Sequence, residues 1–228
     1  MDQTVVTGMV LQTAPIGEYD RRIVLLTKER GRISAFAKGA RRPNSALVAA
    51  VNPFVFGEFT LYEGKNSNTV VSAKVLNYFS EMRENVESAY YGFYFMELAG
   101  YYTREGQDER DMLKLLYQTL RALLNPRLPN RLIRVVYELK TICINGEAPQ
   151  VFQCVSCGKK EESMRFSPLK GGLVCKACEK AAPDLIELDT SAVYTMQYIE
   201  TSTIEKLYTF LVSDRVLEEL RTVMERYM

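Results

Sequence analysis

Hydrophobic and polar positions along this chain follow two different periods. Up to about residue 80, apolar residues come in short β-branched runs broken by Gly and Pro; beyond it they recur three and four apart. The first run, over 5–11, reads Val5-Val6-Thr7-Gly8-Met9-Val10-Leu11 and is expected to end at Ala14-Pro15-Ile16-Gly17. Further strands are predicted over 22–27, 32–38, 53–62 and 69–79, with Gly31 and the segment 64–68 as turns. In the third, Ile33, Ala35 and Ala37 share one side, while Arg32, Ser34, Phe36 and Lys38 share the other. A small apolar face suits a barrel interior. Five short strands with Gly-marked turns predict a small closed barrel of the OB type.

From Asn85 the period is helical, through Tyr90, Phe93, Tyr94, Leu98 and the Tyr101-Tyr102 pair. Met112, Leu115, Leu116, Leu120 and Leu123 mark a second helix, and a third runs from Pro129 to Gly146. Two more are expected, one after Asp189 and one from Thr203 to the end. The predicted fold is α+β and multidomain: an N-terminal OB-fold β-barrel over 1–80, and a C-terminal α-helical domain carrying a four-cysteine zinc-binding insert. The helical domain takes 81–151 and 181–228, the insert 152–180.

The insert rests on Cys154, Cys157, Cys175 and Cys178, a C-x2-C-x17-C-x2-C array. Two thiolate pairs so spaced supply four sulfur ligands to one tetrahedral ion, and a closed site of four thiolates keeps no open position for chemistry. One structural Zn2+ is the expected cofactor; a redox dithiol pair and an iron–sulfur cluster would use the same residues. The chain begins Met1-Asp2-Gln3-Thr4, with neither a basic nor an apolar leader segment, so a reducing cytoplasmic compartment is expected. Its longest apolar stretches fall well short of the roughly 20 residues a bilayer span needs.

There is no histidine. That excludes Ser-His-Asp triads, Cys-His dyads and His-ligated catalytic zinc. No phosphate-binding Gly-rich loop or nucleophile elbow is present either, so the chain is not expected to be an enzyme. The net charge of +1 conceals an asymmetry: residues 1–80 carry +4, 81–183 carry +2 and 184–228 carry −5. A basic beginning and an acidic end suggest that one region meets a polyanion. The cations concentrate at Lys28, Arg30, Arg32, Lys38, Arg41 and Arg42, with Glu29 the only acid among them. A solvated loop with ordinary surface charges has the same composition.

Four segments together resemble the RecO family of bacterial recombination mediators. They are Gly17-Glu18-Tyr19-Asp20-Arg21-Arg22-Ile23, Leu26-Thr27-Lys28-Glu29-Arg30-Gly31, Ala37-Lys38-Gly39-Ala40-Arg41-Arg42 and Pro53-Phe54. The resemblance implies a DNA-repair accessory protein without turnover, cytoplasmic and nucleoid-associated. Such a protein binds single- and double-stranded DNA and anneals complementary strands. With its partner RecR it helps RecA replace SSB on DNA, and it also binds the SSB C-terminal tail. On an OB barrel the candidate DNA contacts are then Arg21, Arg32, Lys38, Arg41 and Arg42 for phosphates, with Phe36 and Tyr19 for stacking.

Arg127, Arg131 and Arg134, at the start of the third helix, are a candidate patch for an acidic partner tail. Helical spacing favours core packing over stacking for Tyr90, Tyr91, Phe93, Tyr94, Phe95, Tyr101 and Tyr102. Cys143 is read as a small buried apolar residue. The competing functional class is an RNA- or ribosome-binding module, which also uses an OB barrel with a zinc ribbon.

Overall fold

The computed structural model describes residues 3–65, 67–161 and 163–228, apart from the side chain of Arg83. They form two compact units, 1–124 and 125–228.

In the first unit β1 (Gln3–Ile16), β2 (Asp20–Thr27), β3 (Gly31–Ala37), β4 (Phe56–Glu63) and β5 (Asn68–Asn77) close into a barrel of order β1-β2-β3-β5-β4. The OB barrel expected from the sequence is present. β1 is twice the predicted length because it serves two partners, pairing β4 through Gln3–Met9 and β2 through Gly8–Ile16. It does not end before Pro15, which pairs with Arg21. A bulge at Leu11, between Val10 and Gln12, bends the strand where it changes partners. The fourth strand opens at Phe56 rather than at Pro53, because Phe54 has φ 73° and turns the chain just before it. Between β3 and β4 lies a single-turn helix, α1 (Leu47–Ala50), that the sequence did not announce. The turn expected over 64–68 lies between β4 and β5, with residue 66 outside the described residues.

Alternation builds the barrel core. Val6, Val10, Ile23, Leu25, Ile33, Ala35, Ala37, Phe59 and Leu61 are all nearly or fully buried. The antiparallel ladders carry most of the closure; β3 and β5 meet in parallel through only Ala35–Asn68 and Phe36–Thr69. Side chains reinforce that seam: Arg30 pairs with Glu63 at 2.8 Å, and Asn68 Nδ2 donates to the Ser34 carbonyl at 3.0 Å.

Helices α2 (Val86–Tyr102) and α3 (Arg110–Leu123) complete this unit. Asn85 caps α2 by accepting the Ser88 N–H at 3.0 Å. The face that α2 buries is built from Ser88, Gly92, Phe95, Met96, Ala99 and Gly100. A Cβ at Gly92 would lie 2.6 Å from Met82 Cε and 2.8 Å from Phe54 Cε1. Small residues let this helix lie flush, with Phe95 the one aromatic ring on its buried face. The aromatic cluster therefore does not pack as one core: Phe95 is buried, Tyr91, Tyr94 and Tyr102 are half-buried, and Tyr90, Phe93 and Tyr101 are 74%, 49% and 78% exposed.

In the second unit, α4 (Asn130–Ile144) is almost wholly buried and packs with α5 (Thr190–Thr201) and α6 (Asp214–Tyr227). Lys140 on α4 is buried, and its Nζ donates to the carbonyls of Ile199, Glu200 and Ser202 at 3.1, 2.9 and 2.8 Å. A cation thus closes the carbonyl end of α5, where the helix dipole favours it. The final helix begins at Asp214, not Thr203; a 3-10 turn at Ile204–Lys206 precedes it, and the Ser213 hydroxyl accepts the Val216 N–H to start it. Cys143 is half-buried, and its thiol is pushed up to about 12 by burial. No described helix is long and apolar enough to cross a membrane.

Candidate nucleic-acid interface and metal centre

The β2–β3 hairpin sets which cations face solvent. In β2, Ile23 and Leu25 point into the barrel, so Arg21 shares their side while Arg22 and Val24 share the other. Arg21 is half-buried, and its Nη1 donates to Asn52 Oδ1 at 2.7 Å. Arg22, one residue on, is exposed beside its cross-strand partner Phe36 and reaches Ser34 Oγ at 3.3 Å.

A groove of 800 Å³ opens on this outer face. One wall is Arg22, Arg32, Ser34 and Phe36; the other includes Gly100 and Arg104, and Lys65 and Asn68 stand at its end. Arg32 Nη1 donates to the Gly100 carbonyl, which ties β3 to the end of α2. Beyond α2, Arg32 N–H donates to the Arg104 carbonyl at 3.1 Å and Gly106 N–H to the Arg30 carbonyl at 3.0 Å. The chain after α2 thus docks on the β2–β3 turn as a short extra ladder, and this places Arg104 at the groove. Gly31 makes the docking possible: its φ is 65°, and a Cβ there would sit 2.0 Å from the Arg104 oxygen. Of the five groove cations Arg22, Arg30, Arg32, Lys65 and Arg104, only Arg30 pairs with a carboxylate among the described residues, Glu63.

The other predicted contacts lie apart from this groove. Gly39 N–H donates to Asp20 Oδ1 at 2.7 Å and Arg41 N–H to the Tyr19 carbonyl at 2.8 Å, lacing the loop after β3 to the β1–β2 turn. The Arg42 guanidinium lies 5.0 Å from the centre of the exposed Tyr19 ring, a cation–π arrangement. Lys38, Arg41 and Arg42 are exposed there. The structure therefore brings Arg32 and Phe36 into one groove, gathers Lys38, Arg41 and Arg42 at a separate tip, and engages Arg21 with Asn52. Arg22, Lys65 and Arg104 join the groove without having been singled out. For Arg22 the signal was the strand alternation itself; for Arg104 there was none, because only the backbone ladder brings it in.

In the second unit, Arg134 is bound to Glu138 at 2.7 Å and Arg131 lies 3.6 Å from Glu218, whereas Arg127 is exposed in the turn before α4.

The four cysteines converge. Their sulfurs all lie within 4.8 Å of one another, and Cys157 and Cys175 are 3.6 Å apart. Sulfurs about 2.3 Å from one tetrahedral ion would stand about 3.8 Å apart, whereas a disulfide brings them to about 2.05 Å. The first knuckle turns at Gly158, whose φ is 74° and whose N–H donates to the Cys154 carbonyl at 2.8 Å. The second leaves the hairpin of β6 (Met164–Ser167) and β7 (Gly172–Cys175) through a 3-10 turn. Val155 N–H donates to the Leu173 carbonyl at 2.7 Å, which aligns the two knuckles. Burial opposes ionisation of Cys154, but amide N–H groups of Cys175, Ser156 and Cys157 outweigh it and bring the thiol down to about 6. Cys178 is pushed up to about 12, chiefly by hydrogen bonding with Cys157 and Cys175. Four sulfurs this close hold several negative charges together only around a cation. The cluster is positioned to bind a metal ion.

Residues 1–79 match the family model for the recombination protein O N terminal region, and 83–228 the model for its C terminal region. The DNA repair protein RecO of Acetivibrio thermocellus is 36% identical over 224 residues, covering 97% of this chain and 89% of that protein. That of Alkaliphilus metalliredigens is 34% identical over 222 residues, covering 97% and 90%. That of Bacillus pumilus is 30% identical over 220 residues, covering 96% and 86%. Two adjoining family models over nearly the whole length, with relatives up to 36% identical, show that this chain belongs to the recombination protein O family.

Proposed function

We propose that this protein is a DNA-repair accessory factor that binds DNA through its barrel, anneals complementary strands and performs no catalytic turnover. The observation that carries the reading is the groove on the barrel exterior, where Arg22, Arg32, Lys65 and Arg104 face solvent without a carboxylate partner among the described residues. Such a groove releases condensed counterions when a polynucleotide enters it, and OB barrels hold unpaired strands this way. Lys38, Arg41 and Arg42 at the tip make a second set of phosphate contacts. Two cationic surfaces on one unit lower the repulsion between two strands, which is the physical requirement of annealing. Family membership supports action with RecR to help RecA replace SSB, and Arg127 and Arg131 are the proposed contacts for the acidic SSB tail, with Arg134 held beside them. Cys154, Cys157, Cys175 and Cys178 would hold one Zn2+, which supplies tetrahedral cross-linking of the two knuckles and braces the second unit. The setting is the cytoplasm, at the nucleoid.

The test is annealing of SSB-coated complementary oligonucleotides with and without RecR, alongside DNA binding measured against salt. The combined Lys38→Ala, Arg41→Ala and Arg42→Ala variant should bind every sequence more weakly and with a flatter salt dependence. Wild-type retention of a structured RNA in preference to single-stranded DNA would favour the RNA-binding reading instead.

A further inference from the structure

The groove does not end at Arg22. A second cavity of 450 Å³ shares Leu11, Gln12, Arg22 and Val24 with the first and continues to Pro53 and Phe93. Phe93 and Gly100 stand seven helical steps apart on α2, about 10 Å of helix axis. That is about three times the ~3.4 Å rise of one stacked nucleotide, so this stretch accommodates at most about three stacked nucleotides.

Its two walls differ in chemistry. The barrel wall presents Arg22, Arg32 and Phe36. The α2 wall presents Phe93 in the second cavity and Gly100 in the first, while Val86, Glu87, Tyr90, Glu97 and Tyr101 are exposed on the same helix outside both cavities. Glu97 would repel a phosphate chain laid along that helix. Phe93 is itself held in place, its ring centre 4.8 Å from that of the buried Phe54. It is a flat, solvent-facing ring with restricted freedom, and it loses little entropy on stacking.

The geometry points to a single-stranded polynucleotide lying between the walls, phosphates toward the barrel guanidinium groups and a base stacked on Phe93, the ring of α2 that lines the groove. The inference rests on the nucleic-acid reading above and adds to it the element that selects unpaired strands. A duplex keeps its base faces stacked on one another and offers α2 nothing. An unpaired strand offers every base, whatever the sequence. Strand selectivity then resides in a helix outside the barrel, while the barrel supplies salt-sensitive affinity for either form.

The experiment is fluorescence anisotropy with an oligothymidylate and a hairpin duplex, each titrated over a range of salt. Phe93→Leu keeps the packing on Phe54 but removes the flat face, and Tyr90→Ala with Tyr101→Ala, which removes exposed rings outside both cavities, is the control. Phe93→Leu should weaken oligothymidylate binding at least about fivefold, while its duplex affinity and both salt slopes stay at wild-type values, and the tyrosine pair should bind both probes like wild type. Phe93→Tyr should retain wild-type binding. Equal losses for both probes, or no loss for oligothymidylate, in Phe93→Leu with wild-type circular dichroism would overturn the stacking on α2 and leave the groove standing. If wild type binds neither probe, the nucleic-acid reading itself fails and the stacking falls with it.

Discussion

Replacing Gly31 by alanine tests whether the ladder between the β2–β3 turn and the chain after α2 shapes the groove. Alanine at φ 65° carries a left-handed penalty of roughly 1–2 kcal/mol. Its methyl group would also meet the Arg104 oxygen at 2.0 Å and the Gln107 oxygen at 3.0 Å, both backbone atoms that cannot swing aside. The segment must lift away, losing the Arg32–Arg104 and Gly106–Arg30 hydrogen bonds, each contributing about 0.5–1.5 kcal/mol. The expected cost is about 2–5 kcal/mol. Gly106 provides the internal control. Its φ is 77°, yet nothing lies within 4 Å of a Cβ there, so Gly106→Ala should cost only the left-handed penalty. Urea unfolding followed by far-UV circular dichroism measures both. Gly31→Ala should also weaken DNA binding, because Arg104 leaves the groove, whereas Gly106→Ala should not. Equal destabilisation by the two substitutions would refute the steric argument and the positioning of Arg104 by this ladder.

Arg22→Ala should weaken DNA binding and lower the salt slope by about 0.7–0.9, whereas Arg21→Ala should chiefly destabilise the barrel by stranding Asn52; parallel salt titrations and unfolding curves separate them. Metal analysis should return one zinc per chain, and Cys154→Ser or chelation should lower the thermal stability of the second unit while leaving barrel strand signals in place. Burial opposes ionisation of Asp184, yet the Ser167 hydroxyl and Leu169 N–H, each at 2.6 Å, together hold its carboxyl below the usual range. A carboxyl with a lowered folded pKa contributes stability above its unfolded value, near ~4, and loses it as pH falls through the folded value. Acid unfolding of the wild type should therefore be steeper below about pH 4 than that of Asp184→Asn, and superimposable curves would dismiss the role.

The barrel was legible because its core positions alternate cleanly: Ile33, Ala35 and Ala37 were assigned inward and are buried. The cysteine spacing was equally direct, since two knuckles at that separation converge on one point. The site was harder. Arg21 and Arg22 are adjacent and chemically identical, and a period of two sends them to opposite faces; a strand begun one residue away exchanges their roles. Helix α2 misled for a different reason. Apolar residues surround it almost completely, so periodicity names no inward face, and Gly92, whose missing side chain makes room for Met82 and Phe54, marks the buried one. The final helix was overextended because Leu207, Phe210 and Leu211 continue an apolar pattern that the Ser213 cap interrupts.

The parallel seam between β3 and β5 has a consequence for how this unit breathes. Only two residue pairs close the cylinder there, and the residues that lie over them, Ser34, Phe36 and Asn68, are also groove residues. Whatever occupies the groove spans the weakest join and acts as a latch across it. Amide protons around Ala35 and Thr69 should exchange with solvent fastest of the ladder in the free protein, and slow most when the groove is filled.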